Sequence, residues 1–238
     1  MISHYYHGPD RLTKVSLYTV YYTVYSSAMA MVSEAKPSGW ILCAGLVVFM
    51  VGAVLWRPSW FETQRLSDQL KNVAAHPAVW TWIHVWMAAG VVLTTAGLAV
   101  WAEVQRQAGE RLATPIAFTM YLIGAVFWLV AIALRLTVHE WAASQAVQGV
   151  VPDVYPSIHR LSGLLYAVHM VLAYLSFAAL GAGVLRSGIL GRGLGWTGVA
   201  GGGAFALGFL ALRGGPFAPP FIAHVYTFVL GVKILRGL

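Results

Sequence analysis

Long apolar segments separated by short polar ones dominate the chain from about residue 39 to its end. A helix needs about 20 consecutive, mainly apolar residues to cross the hydrocarbon core of a bilayer. By that rule the pattern predicts six strong membrane-spanning helices. They cover approximately residues 39–56, 79–101, 115–137, 160–185, 194–212 and 217–235. The segments between them are too short to hold a second domain, so residues 1–238 are expected to form a single integral membrane domain.

Residues 15–32 are the ambiguous part of the pattern. They are long enough to span, but their sequence VSLYTVYYTVYSSAMAMV is rich in tyrosine and serine. We favour a seventh spanning helix, and an amphipathic helix lying in the membrane interface is the alternative. The predicted fold class is therefore an all-α, polytopic transmembrane helix bundle of seven helices, or of six if residues 15–32 are interfacial.

Composition agrees with this fold class. Of the 238 residues 59% are apolar and 10% are charged, whereas a soluble domain has roughly a quarter of its residues charged. The net charge of +7 is scattered between apolar segments. This favours the anionic headgroups of the lipid bilayer as partner and argues against nucleic acid. The single cysteine, Cys43, lies in an apolar run and is expected to be unreactive. Residues 1–14 are polar and no small-residue cleavage site follows, so we expect no signal peptide.

The basic residues also suggest an orientation. We name the face at which residues 79–101 end side A and the opposite face side B. The short loops and the tail on side A carry Arg106, Arg111, Arg186, Arg192, Lys233 and Arg236. Because the positive-inside rule gives most weight to short loops, we expect a multi-pass protein of the cell inner (plasma) membrane with side A and the C-terminus in the cytoplasm.

The histidines are expected on side B or in the half of the bundle nearest to it. His84 lies near the start of its predicted helix, His139 at the end of the next, His169 a third to halfway into another and His224 one or two turns into the last. Small or polar residues at helical spacing around His84, His169 and His224 indicate that these three face the bundle interior. We expect the three imidazoles at similar depth. Ionisable residues inside a membrane are costly, which makes them candidates for function.

These histidines suggest a heme site, because neutral imidazole is a common ligand of heme iron and of metal ions. One heme b near side B would have His169 and His84 as its axial ligands, with His224 as a substitute or as a hydrogen-bond partner of a quinone. Tyr166, one turn from His169, would orient a ligand. Room for the macrocycle is expected beside Ala88, Ala89, Gly90, Ala173 and Gly231, and cations for the propionates are Arg57, Arg135, Arg160 and Arg213.

The expected function is that of a b-type cytochrome-like electron-transfer protein, an oxidoreductase or a subunit of one. It would exchange electrons between a quinone or another lipid-soluble donor and a redox partner protein. One alternative is a membrane-embedded copper, iron or zinc enzyme whose metal ion is bound by His84, His169, His224 and His139. A second alternative is a non-catalytic anchor subunit of a larger complex. No HExxH motif and no acidic residue inside a predicted helix is present, which argues against a hydrolytic zinc site.

Overall fold

A computed structural model describes residues 34–58, 65–213 and 219–237, and every regular element in these ranges is a helix. The all-α part of the prediction is therefore confirmed, while the ambiguous segment 15–32 lies outside the described residues. The elements are α1 (Glu34–Ala53), α2 (Leu66–Ala75), α3 (Pro77–Gln107), α4 (Ala113–Leu134), a π-helical turn (Arg135–His139), α5 (Glu140–Val147), α6 (Tyr155–Ser187), α7 (Arg192–Ala211) and α8 (Ile222–Arg236).

Five of these helices are long and apolar enough to cross a membrane: α1, α3, α4 with its continuation to Val147, α6 and α7. Helix α8 has 15 residues and is shorter than the predicted span 217–235. Its regular helix begins just after Pro219 and Pro220, which lack the N–H that a helix interior needs. Many large apolar side chains on these helices are exposed, as expected of a lipid-facing surface. They include Val47, Val92, Leu164, Leu207 and Leu210.

Consecutive long helices run in opposite directions, so that α1 ends where α3 begins and the π turn and the start of α6 lie at the same end. This end is side B. Helix α4 packs along α6, and α6 along α7. The short helix α2, which packs against α5, lies between the predicted spans 39–56 and 79–101. Its signal was the helical spacing of Leu66, Leu70 and Val73, of which the last two are buried.

Glycines allow α1 and α3 to approach closely. A Cβ added at Gly90 of α3 would lie 2.6 Å from the Cβ of Phe49, and one added at Gly45 of α1 would collide with the Thr94 hydroxyl. Small residues at helix crossings are typical of membrane bundles, in which backbones pack directly on one another. The α1–α3 crossing is therefore tight in the middle of both helices.

Candidate functional site

A cavity of about 780 Å³ lies at the side-B end of the bundle. Its size is within the range of roughly 300–1,000 Å³ that is usual for ligand and cofactor sites. Its walls come from α1, α2, α3, α4, the π turn, α6 and the segment that precedes α8. The lining includes Met50, Ala53, Trp56, Trp80, Met87, Trp128, Arg135, His139, His159, Ser162, Tyr166, Pro219, Pro220 and Phe221.

The π-helical turn places Arg135 and His139 in the same wall of this cavity. A π turn carries an extra residue relative to an α-helix and is frequent at functional sites. The turn is joined to α3 by Trp80, whose Nε1 donates a hydrogen bond of 3.0 Å to the carbonyl oxygen of Arg135. Nothing in the sequence RLTVH indicated a π turn, since its residues are compatible with a regular α-helix.

Arg135 presents a half-buried guanidinium to the cavity. Its Nε donates to the Ser162 hydroxyl at 3.3 Å, and its central carbon lies 5.7 Å from the centroid of the Trp128 ring, a cation–π contact. In residues 34–58, 65–213 and 219–237 no carboxylate forms an ion pair with it; the pairs found there are Arg106–Glu103 and Arg186–Glu110. The cavity lining given by those residues also contains no Asp or Glu.

His139 and His159 face each other beside Arg135. The Nδ1 of His159 lies 3.4 Å from the Nε2 of His139. Tyr155 packs edge-on against His139, with ring centroids 5.1 Å apart. His139 is 2% exposed, and its Nδ1 forms no well-aligned hydrogen bond among the described residues, although the Leu134 carbonyl interacts with this ring. Together with Arg135 and Ser162, the two imidazoles form a polar patch in a wall that is otherwise mainly apolar and aromatic.

His159 is not among the predicted site residues. A signal for it was present in the sequence. Tyr155, His159, Ser162 and Tyr166 follow one another at spacings of three and four, which places them on one face of α6. The last three of these line the cavity.

His84 lies immediately behind the cavity wall. It shares one face of α3 with Trp80 and Met87, both of which line the cavity. Its Nδ1 lies 2.8 Å from the carbonyl oxygen of Trp80 and must donate to it, which fixes the neutral tautomer with a lone pair on Nε2. That Nε2 is buried and has no partner in the part of the chain that is described. Heme and metal ligands are commonly oriented in this way.

His224 lies further from side B than His84, at a level of the bundle that we call the deeper layer. Its Nδ1 lies 3.0 Å from the hydroxyl oxygen of Thr94. Thr94 gives its own hydrogen to the carbonyl oxygen of Gly90 at 2.9 Å, so it accepts from His224 and leaves the Nε2 of His224 as a lone pair. Thr94 lies ten residues beyond His84 on α3, or about 15 Å along the helix axis.

A Cβ added at Gly124 of α4 would lie 3.4 Å from the Nδ1 of His169, and Gly124 precedes Arg135 by eleven residues, or about 16 Å along the helix axis. His169 therefore belongs to the same deeper layer as His224. Its ring lies 5.2 Å from that of Trp128 and 6.2 Å from that of Tyr121, centroid to centroid. The expectation that His84, His169 and His224 lie at one depth is therefore corrected. His84 belongs to an outer layer with His139 and His159. The physical reason is that α8 begins far inside the bundle, so that its third residue already lies level with Thr94.

The room expected for a macrocycle beside Gly90 and Gly231 is taken up by helix packing. A Cβ added at Gly231 would lie 2.8 Å from the carbonyl oxygen of Gly39, and Gly90 is covered by Phe49. Phe49 also packs on His224, with ring centroids 4.4 Å apart. The deeper layer is therefore filled at these positions, and the open space lies in the outer part of the bundle, near His84.

The other predicted site residues divide between the cavity and the surface. Tyr166 lines the cavity, with its ring 4.7 Å from that of Trp128, and Arg135 lines it as described above. Arg57 and Arg213 are exposed and do not line it. Of the arginines predicted to receive propionates, Arg135 is the one that the fold brings to this space.

A bare-metal centre was the other predicted use of the histidines. Within the described ranges, no group of three or more His, Cys, Asp or Glu side chains lies close enough together to hold a metal ion. His84, His139, His169 and His224 thus do not meet at one point. The contact between His139 and His159 is a pair rather than such a group.

Comparison of the chain with models of protein families, with curated proteins and with solved structures finds no match. Its function must therefore be inferred from its own residues.

Proposed function

We propose that this chain is a multi-pass membrane protein that binds one heme b in the side-B cavity and acts as a b-type cytochrome-like electron-transfer protein. The observation that carries the proposal is the buried, unshared Nε2 of His84, on the face of α3 that forms the cavity wall. Its Nδ1 is already held by the Trp80 carbonyl, so the ligating tautomer would be set before any iron binds. The heme, when bound, would supply one-electron redox chemistry.

The rest of the lining suits a flat, largely apolar group with a charged edge. Trp80, Trp128 and Tyr166 supply aromatic surface, and Arg135 supplies a cation near the membrane boundary for the propionates. Met50 and Met87 also line the cavity, and their thioethers would be available to help hold the heme iron.

Ligation by His84 would require one indole to turn aside. The rings of Trp56 and Trp80 lie 6.3 Å and 4.2 Å from that of His84, and both residues line the cavity whereas His84 does not. Trp56 is half-buried, while Trp80 is 1% exposed, so Trp56 would be the indole that turns. We propose that electrons are exchanged with a quinone or another lipid-soluble donor, since the cavity lies among helices that are apolar enough to sit in a bilayer. The cytoplasmic placement of the C-terminus, argued from the short basic loops, is part of the same proposal.

The absorption spectrum of the full chain, purified in detergent after expression with added heme precursor, tests this proposal. We expect a Soret band that shifts on reduction with dithionite. His84→Ala should abolish it, whereas His76→Ala, at the residue before Pro77 and outside the cavity lining, should retain it. His224→Ala should also retain it, because His224 lies in the deeper layer. A His84→Ala protein that binds heme as the unmodified chain does would refute the assignment.

The contact between His139 and His159 favours a second candidate, a copper, iron or zinc enzyme. Two imidazole nitrogens 3.4 Å apart can bind the same ion as neighbouring ligands. The nearby guanidinium of Arg135 opposes a dication at this place, which makes the candidate weaker than heme. A colourless preparation with stoichiometric metal that is lost in His139→Ala would favour it. If neither heme nor metal is found, the anchor-subunit alternative gains.

A further inference from the structure

We propose that the side-B cavity recognises the carboxylate of an apolar ligand, with Arg135 as the principal contact. This inference goes beyond the proposed function because it specifies the charged group that the cavity selects and needs no iron. A heme propionate and a fatty acid carry this same group.

The cavity has a positive charge and no balancing negative one within the described residues. Arg135 is half-buried there, and its contacts are a neutral hydroxyl, that of Ser162, and the face of Trp128. A cation held inside a membrane bundle is costly unless an anion or a polar group compensates it. An anionic ligand in the cavity would supply that compensation.

Helix α8 adds to the same polarity. Pro219, Pro220 and Phe221 line the cavity, and α8 starts at Ile222, so its N-terminal end adjoins this space. The N-terminus of a helix carries about half a positive charge. Such inward-pointing helix starts bind anionic groups of substrates in other membrane proteins with broken helices.

Two imidazoles in the same wall supply neutral hydrogen-bonding groups next to this charge. His139 and His159 both line the cavity, and the Nδ1 of His159 lies 3.4 Å from the Nε2 of His139. The Nδ1 of His139 is buried and forms no well-aligned hydrogen bond among the described residues, although the Leu134 carbonyl interacts with this ring. An imidazole N–H turned towards the cavity would donate to an anionic oxygen beside Arg135.

The number of cations distinguishes a carboxylate from a phosphate group. Within the described lining Arg135 is the single guanidinium, and no lysine is present. One guanidinium matches one carboxylate through a two-fold hydrogen bond, whereas phosphate groups are usually held by clusters of cations. Apart from Gln69, His139, His159 and Ser162, the other lining residues are apolar or aromatic and suit a hydrocarbon or macrocyclic body.

Tryptophan quenching by a brominated fatty acid tests the inference without heme. Trp56, Trp80 and Trp128 line the cavity, so a bound bromoundecanoate should quench the fluorescence of the detergent-purified full chain. Its methyl ester, which has the same chain but no charge, should bind about tenfold or more weakly. Equal affinity of acid and ester in the unmodified protein would overturn the proposal, and this comparison requires no variant.

Variants locate the contact. Arg135→Gln should reduce affinity for the acid by about tenfold while leaving the ester unchanged, and Arg135→Lys should restore part of the loss. Arg160→Gln removes the same charge from an exposed position on α6 outside the lining and should have no effect. If Arg135→Gln and Arg160→Gln bind the acid equally well, Arg135 is not the contact.

A parallel titration compares heme with heme dimethyl ester, in which both propionates are blocked. If the ester binds more weakly than heme, and if this difference disappears in Arg135→Gln, the result supports carboxylate recognition with heme as the source of the carboxylate. Heme and its ester binding equally would overturn the inference while leaving the heme proposal intact. Conversely, charge-dependent quenching by bromoundecanoate in a protein that takes up no heme would support the inference and refute the proposed function.

Discussion

The indole N–H of Trp80 lies 3.0 Å from the backbone carbonyl oxygen of Arg135 and donates a hydrogen bond to it. This bond joins the first turns of α3 to the π turn that follows α4. The Trp80 ring, 1% exposed, also lies 4.2 Å from the ring of His84 and 5.9 Å from that of His139. The Trp80 side chain therefore contacts two of the outer histidines, and it also holds the backbone of Arg135, the residue that carries the cation of the cavity.

Replacing Trp80 with Phe should weaken this part of the bundle. The substitution keeps an aromatic ring but removes the N–H donor and part of a buried side chain. We expect the free energy of unfolding to fall by about 1–3 kcal/mol. Unfolding by sodium dodecyl sulfate in mixed micelles, followed by circular dichroism, measures it. Trp141→Phe, at a side chain 47% exposed, is the control and should change stability by less than about 0.5 kcal/mol. Equal stability of the two variants would contradict this role of Trp80.

The run Gly201–Gly203 on α7 allows a matched test of helix packing. A Cβ at Gly202 would lie 2.5 Å from the carbonyl oxygen of Tyr174 on α6, whereas one at Gly201 or Gly203 would meet nothing within 4 Å. Gly202→Ala should therefore destabilise the bundle by about 1–3 kcal/mol through overpacking. Gly201→Ala should be neutral or stabilising by up to about 1 kcal/mol. The same micelle unfolding assay applies, and similar effects at both positions would argue against the packing of α7 on α6.

The sequence allowed the helical class and the long apolar helices to be predicted, because both depend on the length of apolar runs. Within the run Gly201–Gly203, the three glycines are alike in the sequence, and the structure shows that Gly202 is the one that faces α6. Helix ends were less predictable. Helix α3 continues to Gln107, well beyond the predicted residue 101, since a helix can extend past the bilayer when polar residues form its exposed last turns.

The site was predictable in its residue types but not in its grouping. Periodicity shows which face of a helix a histidine occupies, but not its height relative to other helices. The height of His224 depends on where the chain resumes a helix after Pro219 and Pro220, a tertiary property. Arg135 and Tyr166 were identified because a cation and a phenol near side B suited a ligand. His159 was missed because its partner His139 lies 20 residues away, across a turn.

The carboxylate of Glu110 closes the start of α4, in the loop that follows α3. It accepts backbone N–H groups from Leu112, Ala113 and Thr114 at 3.1, 2.8 and 2.7 Å. The Nε of Arg186 lies 3.6 Å away. Burial acts to raise the pKa of this carboxyl, but the hydrogen bonds to its charged form outweigh burial, and the pKa lies below its ordinary value.

Stability should therefore decrease in acid through Glu110. A carboxyl whose pKa is lower in the folded state contributes its stability above the unfolded pKa of about 4.3, and loses it as pH falls through the lower folded value. We expect Glu110→Gln to cost about 1–2 kcal/mol near neutral pH and to reduce the acid sensitivity below about pH 5. Unfolding measured as a function of pH tests this, with Glu103→Gln, at an exposed ion pair, as control. Undiminished acid sensitivity in Glu110→Gln would assign the effect to other carboxyls.

The hydrogen bond between Thr94 and His224 links α3 to the first turn of α8, and a double-mutant cycle measures its contribution. Thr94→Val removes the acceptor and leaves the buried Nδ1–H of His224 unpaired, which should cost about 1–3 kcal/mol. When His224 is already Leu no donor is left unpaired, so the same Thr94→Val change should cost less than about 1 kcal/mol.

Because both residues lie in the deeper layer, neither change should reduce heme binding at His84. The cycle therefore separates the structural histidine from the ligating one in a single set of proteins. Strict additivity, within about 0.5 kcal/mol, would mean that the two side chains do not interact. If the two residues are coupled and their replacement also removes the Soret band, the heme must instead bind in the deeper layer. In that layer Phe49 packs against His224.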